Sequence, residues 1–460
     1  MSFHLGKPIL VLMAVALVSG AVVLARRSSP RADLVVWVFA EAHAVSYRGD
    51  AKTPPGTALA DRYSAQAGNS VDVKLININA LTLRLASLFD RREVDPNQPD
   101  VVEIETNYIA RFFRPPVDEV GFMPLDGFLD RSGWRSKLVE ARLATWSKNG
   151  VVFGVPHDVH PVGIVYRKDL YDQAGVDLAS AKTWLELHEK CLAFRRYWRE
   201  HGYPNRFAIE MPSANADVLN VMLQQRHVNP VDDRDQIYLT DPRVAETIEF
   251  YAKLIAGPTR VGGDPTPGGT RWTQDFANGD LAAMVCPDWR AGYLRRYATS
   301  AAGSVAIMPL PVFEPGDAPT ASWGGTMAGI PKRCKDPEAS WKLITYLYSS
   351  REAIRSRWTE MMVLPPNMDV WDDPAFHQPD PFFGGQKSGE AYIELARQMP
   401  RRYVTPFTPM ANALLAGIVS SAGRRVDAGD TVTLRAEIER WLREAEADLK
   451  RRIEFGKFED

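Results

Sequence analysis

The chain has 460 residues, 45% apolar and 24% charged, more than one hydrophobic core fills, so two lobes or domains are expected. A net charge of −2 and the lack of a long basic run argue against a nucleic-acid partner. Three widely spaced cysteines, Cys191, Cys286 and Cys334, exclude a disulfide framework and any C-x-x-C zinc or redox motif, and allow one bridge at most.

The first feature in chain order is PILVLMAVALVSGAVVLA, 18 uncharged residues from Pro8 to Ala25, with Lys7 before it and Arg26 and Arg27 after. It is longer than a usual signal-peptide apolar region and near the lower limit for a membrane span. Residues 1–32 therefore read as a signal peptide cleaved after Ala25, or as an uncleaved membrane anchor with its linker. No cysteine lies nearby to carry a lipid. Arg26, Arg27 and Arg31 outnumber Lys7, a bias that by itself holds the body in the cytoplasm; export is nonetheless the expectation.

The short β-branched run DLVVWVFA (33–40) predicts a buried first strand. A helix over 57–67, a strand over 71–77, a helix over 81–89 and a strand over 99–104 follow. Strands alternating with helices imply a parallel, doubly wound sheet, whose ligands sit beyond the carboxyl ends of strands. That rule points to 39–43 and 103–108. A strand is expected at 162–166, then helices over 183–198, 217–226 and 244–254. Strands at 282–285 and 304–308 come next. After the turn-rich connector 310–325, a strand at 327–330 and a helix over 337–348 resume. Leu434, Ile438, Trp441, Leu442, Ala445 and Leu449 keep the spacing of a surface helix with one buried face.

No nucleophile elbow, P-loop, dinucleotide-binding glycine pattern or zinc-protease helix is present. Two constellations stay open. His157, Asp158 and His160, bracketed by Pro156 and Pro161, have residue types that suit a divalent metal, a polar ligand contact or a solvated loop. Glu103 and Glu105 at one strand end, with Glu41 near another, suit a glycosidase pair, acceptors for sugar hydroxyls, or solvated charge.

Five stretches, in order, resemble bacterial extracellular solute-binding proteins of the maltose-binding type: LVVWVF with a polar turn, PDVVEIETNYIARF, NGVVFGVPHDVHPVGIVYRKDLYDQAGVD, FANGDLAAMVCPDW, and SWGGTMAGIPKRCKDPEASWKLITYL. The resemblance runs from about residue 33 to 455. It departs at Arg167, where the family often has Asn, and at Pro287-Asp288, where it often has Gly. It implies a type II periplasmic-binding-protein-like α/β fold: two lobes, each a doubly wound sheet flanked by helices, joined by hinge crossings near 156–161 and 309–323. The expected division is 33–159 with 310–352 for lobe 1 and 160–309 with 353–460 for lobe 2.

The function so implied is the periplasmic or extracytoplasmic binding component of an ABC importer. It is a monomer that closes on a sugar or oligosaccharide and delivers it to permease subunits, with no cofactor, metal or catalysis. Motif position nominates Glu41 and His43, Glu105 and Asn107, Asp158 and His160, Trp289, Trp323, Phe407 and Met410 as ligand contacts. Each aromatic has core packing as its alternative. The rivals are a non-sugar solute (a polyamine, glycerol phosphate or an iron complex), a ligand-sensing module, and an anchored glycosidase.

Overall fold

The computed structural model describes residues 12–16, 19, 31–91, 98–114 and 116–456. Most of the Pro8–Ala25 segment lies outside them. Among the described residues no helix is long and apolar enough to cross a membrane.

The first sheet is built on β1 (Leu34–Val38), buried along its whole length as its unbroken apolar run requires. β1 pairs in parallel with β2 (Val71–Leu75), Leu34 opposite Val71, and with β3 (Val101–Glu105), Val36 opposite Val101. β2 is the edge strand, and its VDVKL alternation leaves only Val73 buried. The polar stretch expected as a turn after β1 is instead a helix, α1 (Glu41–Arg48), so Glu41 and His43 stand in its first turn. On the opposite face of the sheet, with Val35 and Trp37, packs α2, which spans Ile78–Asp90 and is capped by the Asn77 side chain.

The short β4 (Val155–Pro156) belongs to the first sheet, and β5 (Val162–Arg167) is the centre of a second. Two antiparallel neighbours flank β5: β6 (Ala283–Pro287) and β7 (Val305–Pro309). Their registers put Pro287 opposite Val162 and Pro309 opposite Gly163. The chain then returns through 310–325 to β8 (Thr326–Gly329), antiparallel to β3 with Thr326 opposite Glu105. The two expected crossings, β4 to β5 and β7 to β8, therefore run side by side.

Helices cover both sheets where turn chemistry starts them. Thr183 and Glu186 form a reciprocal capping box ahead of Trp184–Glu200. Asp241 and Asp336 each cap a helix whose first residue is proline, Pro242–Ile255 and Pro337–Ser349. The C-terminal helix Leu434–Gly456 buries Leu434, Ile438, Leu442, Ala445 and Leu449 in the second-lobe core, its apolar stripe read from spacing. Helix Arg351–Met361, which no spacing signal announced, puts Ala353 in a first-lobe apolar cluster and Ile354 and Trp358 in a second-lobe one.

Candidate functional site

The hinge and the gap beside it are chemically unlike. At the hinge, Arg142 is fully buried and every nitrogen of its guanidinium has an acceptor. Nε donates to the Asp158 carbonyl and Nη2 to Asp158 Oδ1 and the Gly324 carbonyl, each at 3.0 Å, while Nη1 donates to Ser322 Oγ at 2.9 Å. Gly325 passes so close that a Cβ there would stand 1.4 Å from Arg142 Nη2, and its φ of +130° also favours glycine. Asp158 further accepts from the Thr326 amide. Burial favours its neutral form, but His160, His157 and Arg142 hold its pKa well below the usual carboxylate range.

His160 sits in a left-handed backbone conformation, φ +57°. Its Nδ1 lies 2.6 Å from Asp288 Oδ1 and its Nε2 3.2 Å from Asp158 Oδ2. Burial works against its charge, yet the two carboxylates raise its pKa to about 9. The β5–β6 register explains the meeting. Pro287 faces Val162, so Asp288, one step past the strand, reaches back to a residue two steps before it. Asp288 also accepts from the amides of Trp289 at 2.6 Å and Leu364 at 2.8 Å.

The network continues into the first lobe. Glu103 is buried and accepts from Tyr47 at 2.6 Å and Tyr348 at 2.8 Å, with His43 Nδ1 2.7 Å from its other oxygen. Burial opposes its charge, but His43, His157 and Tyr47 lower its pKa to about 2. His157 stacks on His43 with ring centroids 4.1 Å apart and takes an Arg357 hydrogen bond at Nε2. Burial, His43 and Arg357 push its pKa down to about 3, so it is neutral. His43, Glu103 and His157 have the mutual spacing of metal ligands. However, the Arg357 cation against His157 and the hydroxyls already on Glu103 fit a hydrogen-bonded core better than a divalent ion.

The gap is different. Glu105, at the carboxyl end of β3, accepts from Asn107 Nδ2 at 3.0 Å, and the Asn107 backbone amide also favours its charged form. Burial raises its pKa to about 7. Arg402 is half-buried, and its guanidinium makes a single 3.5 Å bond, to the Ser322 carbonyl. It lies within electrostatic reach of Glu105 and of Asp217, and burial and Arg142 lower its pKa to about 10. Asp217 opens helix Asp217–Gln225, and although exposed it has its pKa raised by the surrounding protein. Arg402 is thus within electrostatic reach of two carboxylates, and the three groups make few hydrogen bonds among the described residues.

Half-buried aromatic rings stand beside the hinge, the Trp289 ring centroid 6.5 Å from that of His160. Trp289 is half-buried and donates Nε1 to the Trp323 carbonyl at 3.0 Å, which fixes its ring. Trp323 is half-buried beneath Arg290, whose guanidinium lies 5.2 Å from its ring centroid and 4.3 Å from that of Trp272. Arg290 is itself anchored by buried Glu210 at 2.9 Å. Phe407 and Met410 are half-buried and pack on the second-lobe core.

The structure therefore separates the residues named from sequence. Glu105 and Asn107 bond to each other at the end of β3, Trp289 and Trp323 are half-buried beside His160, and Asp158, His160 and His43 are bonded into the hinge network. Glu41 is exposed at the start of α1 with no hydrogen-bond or ion-pair partner among the described residues. Sequence reasoning missed Arg142, Asp217, Arg357 and Arg402. Arg402 follows Arg401 and Arg357 is one of several charges in its helix, so no local pattern marks them out.

Two α/β lobes around a polar, aromatic-edged gap are the build of a solute-binding protein, and the chain belongs to the bacterial extracellular solute-binding protein family, whose profile matches residues 55–383. Among its relatives is the arabinooligosaccharide-binding protein of Halalkalibacterium halodurans, 25% identical over 400 residues, 85% of each chain. The sugar-binding protein MalE of Xanthomonas citri superposes with a TM-score of 0.68 at 20% identity, covering 92% of this chain and 98% of that one. UgpB of Mycobacterium tuberculosis, solved with glycerophosphocholine, superposes with a TM-score of 0.67 at 18% identity, covering 92% of this chain and all of its own.

Proposed function

We propose that the protein is the extracytoplasmic binding component of an ABC importer for a neutral sugar or oligosaccharide. The observation that carries the reading is a set of sparsely bonded charged groups, Glu105, Asp217 and Arg402, together with the half-buried rings of Trp289 and Trp323. Sugar hydroxyls need both acceptors and donors, and sugar C–H faces need flat apolar surface. Two acids against one guanidinium disfavour a phosphate, which separates this site from that expected for a glycerophosphodiester. The arabinooligosaccharide binding named for the relative makes an arabinose oligomer the first ligand to test.

The lobes so used are 33–159 with 310–352 and 160–309 with 353–460, closing about the paired crossings. Closure presents both lobe surfaces to permease subunits, and residues 1–32 serve as export signal or anchor. Binding alone is proposed, without chemistry. Glu103 is committed to His43, Tyr47 and Tyr348, so Glu105 has no free carboxylate partner on its strand for glycoside cleavage.

A thermal-shift screen of mono- and oligosaccharides tests the assignment. A ligand at 100 times its Kd stabilises by about 2.7 kcal/mol, and an arabinose oligomer is expected to do so. A shift produced by glycerophosphodiesters or polyamines and by no sugar defeats the reading.

A further inference from the structure

Arg402 sits in an irregular stretch, 401–404, whose backbone makes no hydrogen bond to other backbone among the described residues. Side chains hold it instead. The Asn229 amide brackets Arg402: its Oδ1 accepts from the Tyr403 amide at 3.1 Å, and its Nδ2 donates to the Arg401 carbonyl at 3.2 Å. From the first lobe, Thr145 Oγ1 donates to the Arg402 carbonyl itself at 3.1 Å. Glu140 pairs with the Arg401 side chain, and Val404 is buried in the first-lobe cluster that holds Trp146 and Phe153. The stretch is therefore tied to the first lobe by Thr145 and Val404 and to the second by Asn229. What it carries is shared in the same way. The Arg402 guanidinium is within electrostatic reach of Glu105 in the first lobe and Asp217 in the second, with Arg142 the other charge acting on it.

We propose that Asn229 and Thr145 are positioning residues, which together set the Arg402 guanidinium between the two acids when the lobes meet. The inference rests on the sugar-binding reading and names what places its guanidinium. An arginine has a long flexible stem, and an irregular loop beneath it leaves the head free to wander. Fixing the peptide on both sides removes that freedom before a ligand arrives, so less is lost on binding. Parting the lobes draws Thr145 away from Asn229, and the loop keeps one anchor only. Closure thus assembles a donor that neither lobe places alone.

Two measurements test this. Carboxyl-carbon NMR of glutamate-labelled protein, with Glu105→Gln to assign the signal, follows Glu105 without any ligand. Glu105 is under the charges of Arg402, Asp158 and His160, and of these the loop carries Arg402, which favours the ionised carboxylate. Asn229→Ala and Thr145→Val are each expected to raise the Glu105 titration midpoint, and Thr145→Ser, which keeps the hydroxyl, to leave it near the parent's. The second measurement is calorimetry with arabinotriose and maltotriose. In whichever binds, Asn229→Ala and Thr145→Val should each weaken Kd about threefold to tenfold, the worth of one hydrogen bond. In an Arg402→Met background neither change should weaken it further. A Glu105 midpoint unmoved in both variants, or a loss of affinity that persists without Arg402, overturns the positioning role and leaves sugar binding standing. If neither sugar binds the parent, the sugar reading falls, and the Glu105 midpoint alone decides what places Arg402.

Discussion

The hinge and the gap hold similar residues, acids, histidines or arginines, and aromatics, within a few residues of one another, yet they are built to opposite rules. In the hinge, Arg142, Asp158, His160 and Asp288 are buried and almost every polar atom has its partner. In the gap, Glu105, Asp217 and Arg402 keep most of theirs free. A saturated network cannot offer a hydrogen bond to a ligand without first breaking one. An unsaturated one costs stability until something fills it. Proximity to a cleft therefore does not identify a ligand contact; spare hydrogen-bonding capacity does.

The largest expected effect breaks the hinge. Asp158→Ala leaves Arg142 buried without a carboxylate partner and His160 with Asp288 alone, and should cost about 3–5 kcal/mol of folding stability, read from urea unfolding without ligand. A variant that unfolds like the parent shows the network to be ornamental. Trp289→Ala probes the other side. Its half-buried ring should account for about 2 kcal/mol of affinity, about thirtyfold in Kd, with a much smaller change in unliganded melting. If melting falls by the cost of a core aromatic and affinity does not, Trp289 belongs with the hinge.

Smaller effects distinguish the two regions by pH. His160 has its pKa raised from 6.5 to about 9, so its contribution to stability is complete below 6.5 and is lost as pH climbs through about 9. Glu105, raised from 4.5 to about 7, acts in the other window. The folded carboxyl keeps its proton longer, so unliganded stability falls between pH 4.5 and 7 and levels off above. A ligand hydroxyl donating to the carboxylate makes binding tighter above pH 7. Glu105→Gln should flatten both the stability slope and the affinity profile, and His160→Gln only the alkaline stability loss. The smallest effect is a control: Thr183→Ala, at a helix cap in neither region, should cost about 1 kcal/mol of stability and leave sugar affinity unchanged.

Much of the fold was legible because its signals are local. The apolar run 34–38, the capping box at Thr183, the aspartate-proline starts at 241 and 336, and the stripe along 434–449 each announce an element within one turn or strand. The site was only half legible. Strand ends brought out Glu105, Asn107 and Trp289, because ligand placement beyond strand ends follows from topology. Nothing local distinguishes Asp158, locked to an arginine 16 residues back, from a free acid, or shows that Arg402 returns to the cleft. The departure at Pro287-Asp288 was visible, but what Asp288 does there needs the antiparallel register that places it against His160.

Helix Arg351–Met361 puts Ala353 into a first-lobe cluster and Ile354 and Trp358 into a second-lobe one, and from it Arg357 reaches His157 of the stacked His43–His157 pair. Two adjacent crossings alone behave as a door hinge with play in it, free to twist as well as swing. A stiff rod that joins both leaves beside those crossings removes the twist and leaves a single mechanical degree of freedom. The closed shape is then nearly the same whatever fills the cleft, so a membrane partner reads occupancy from one fixed outline and needs no knowledge of the cargo.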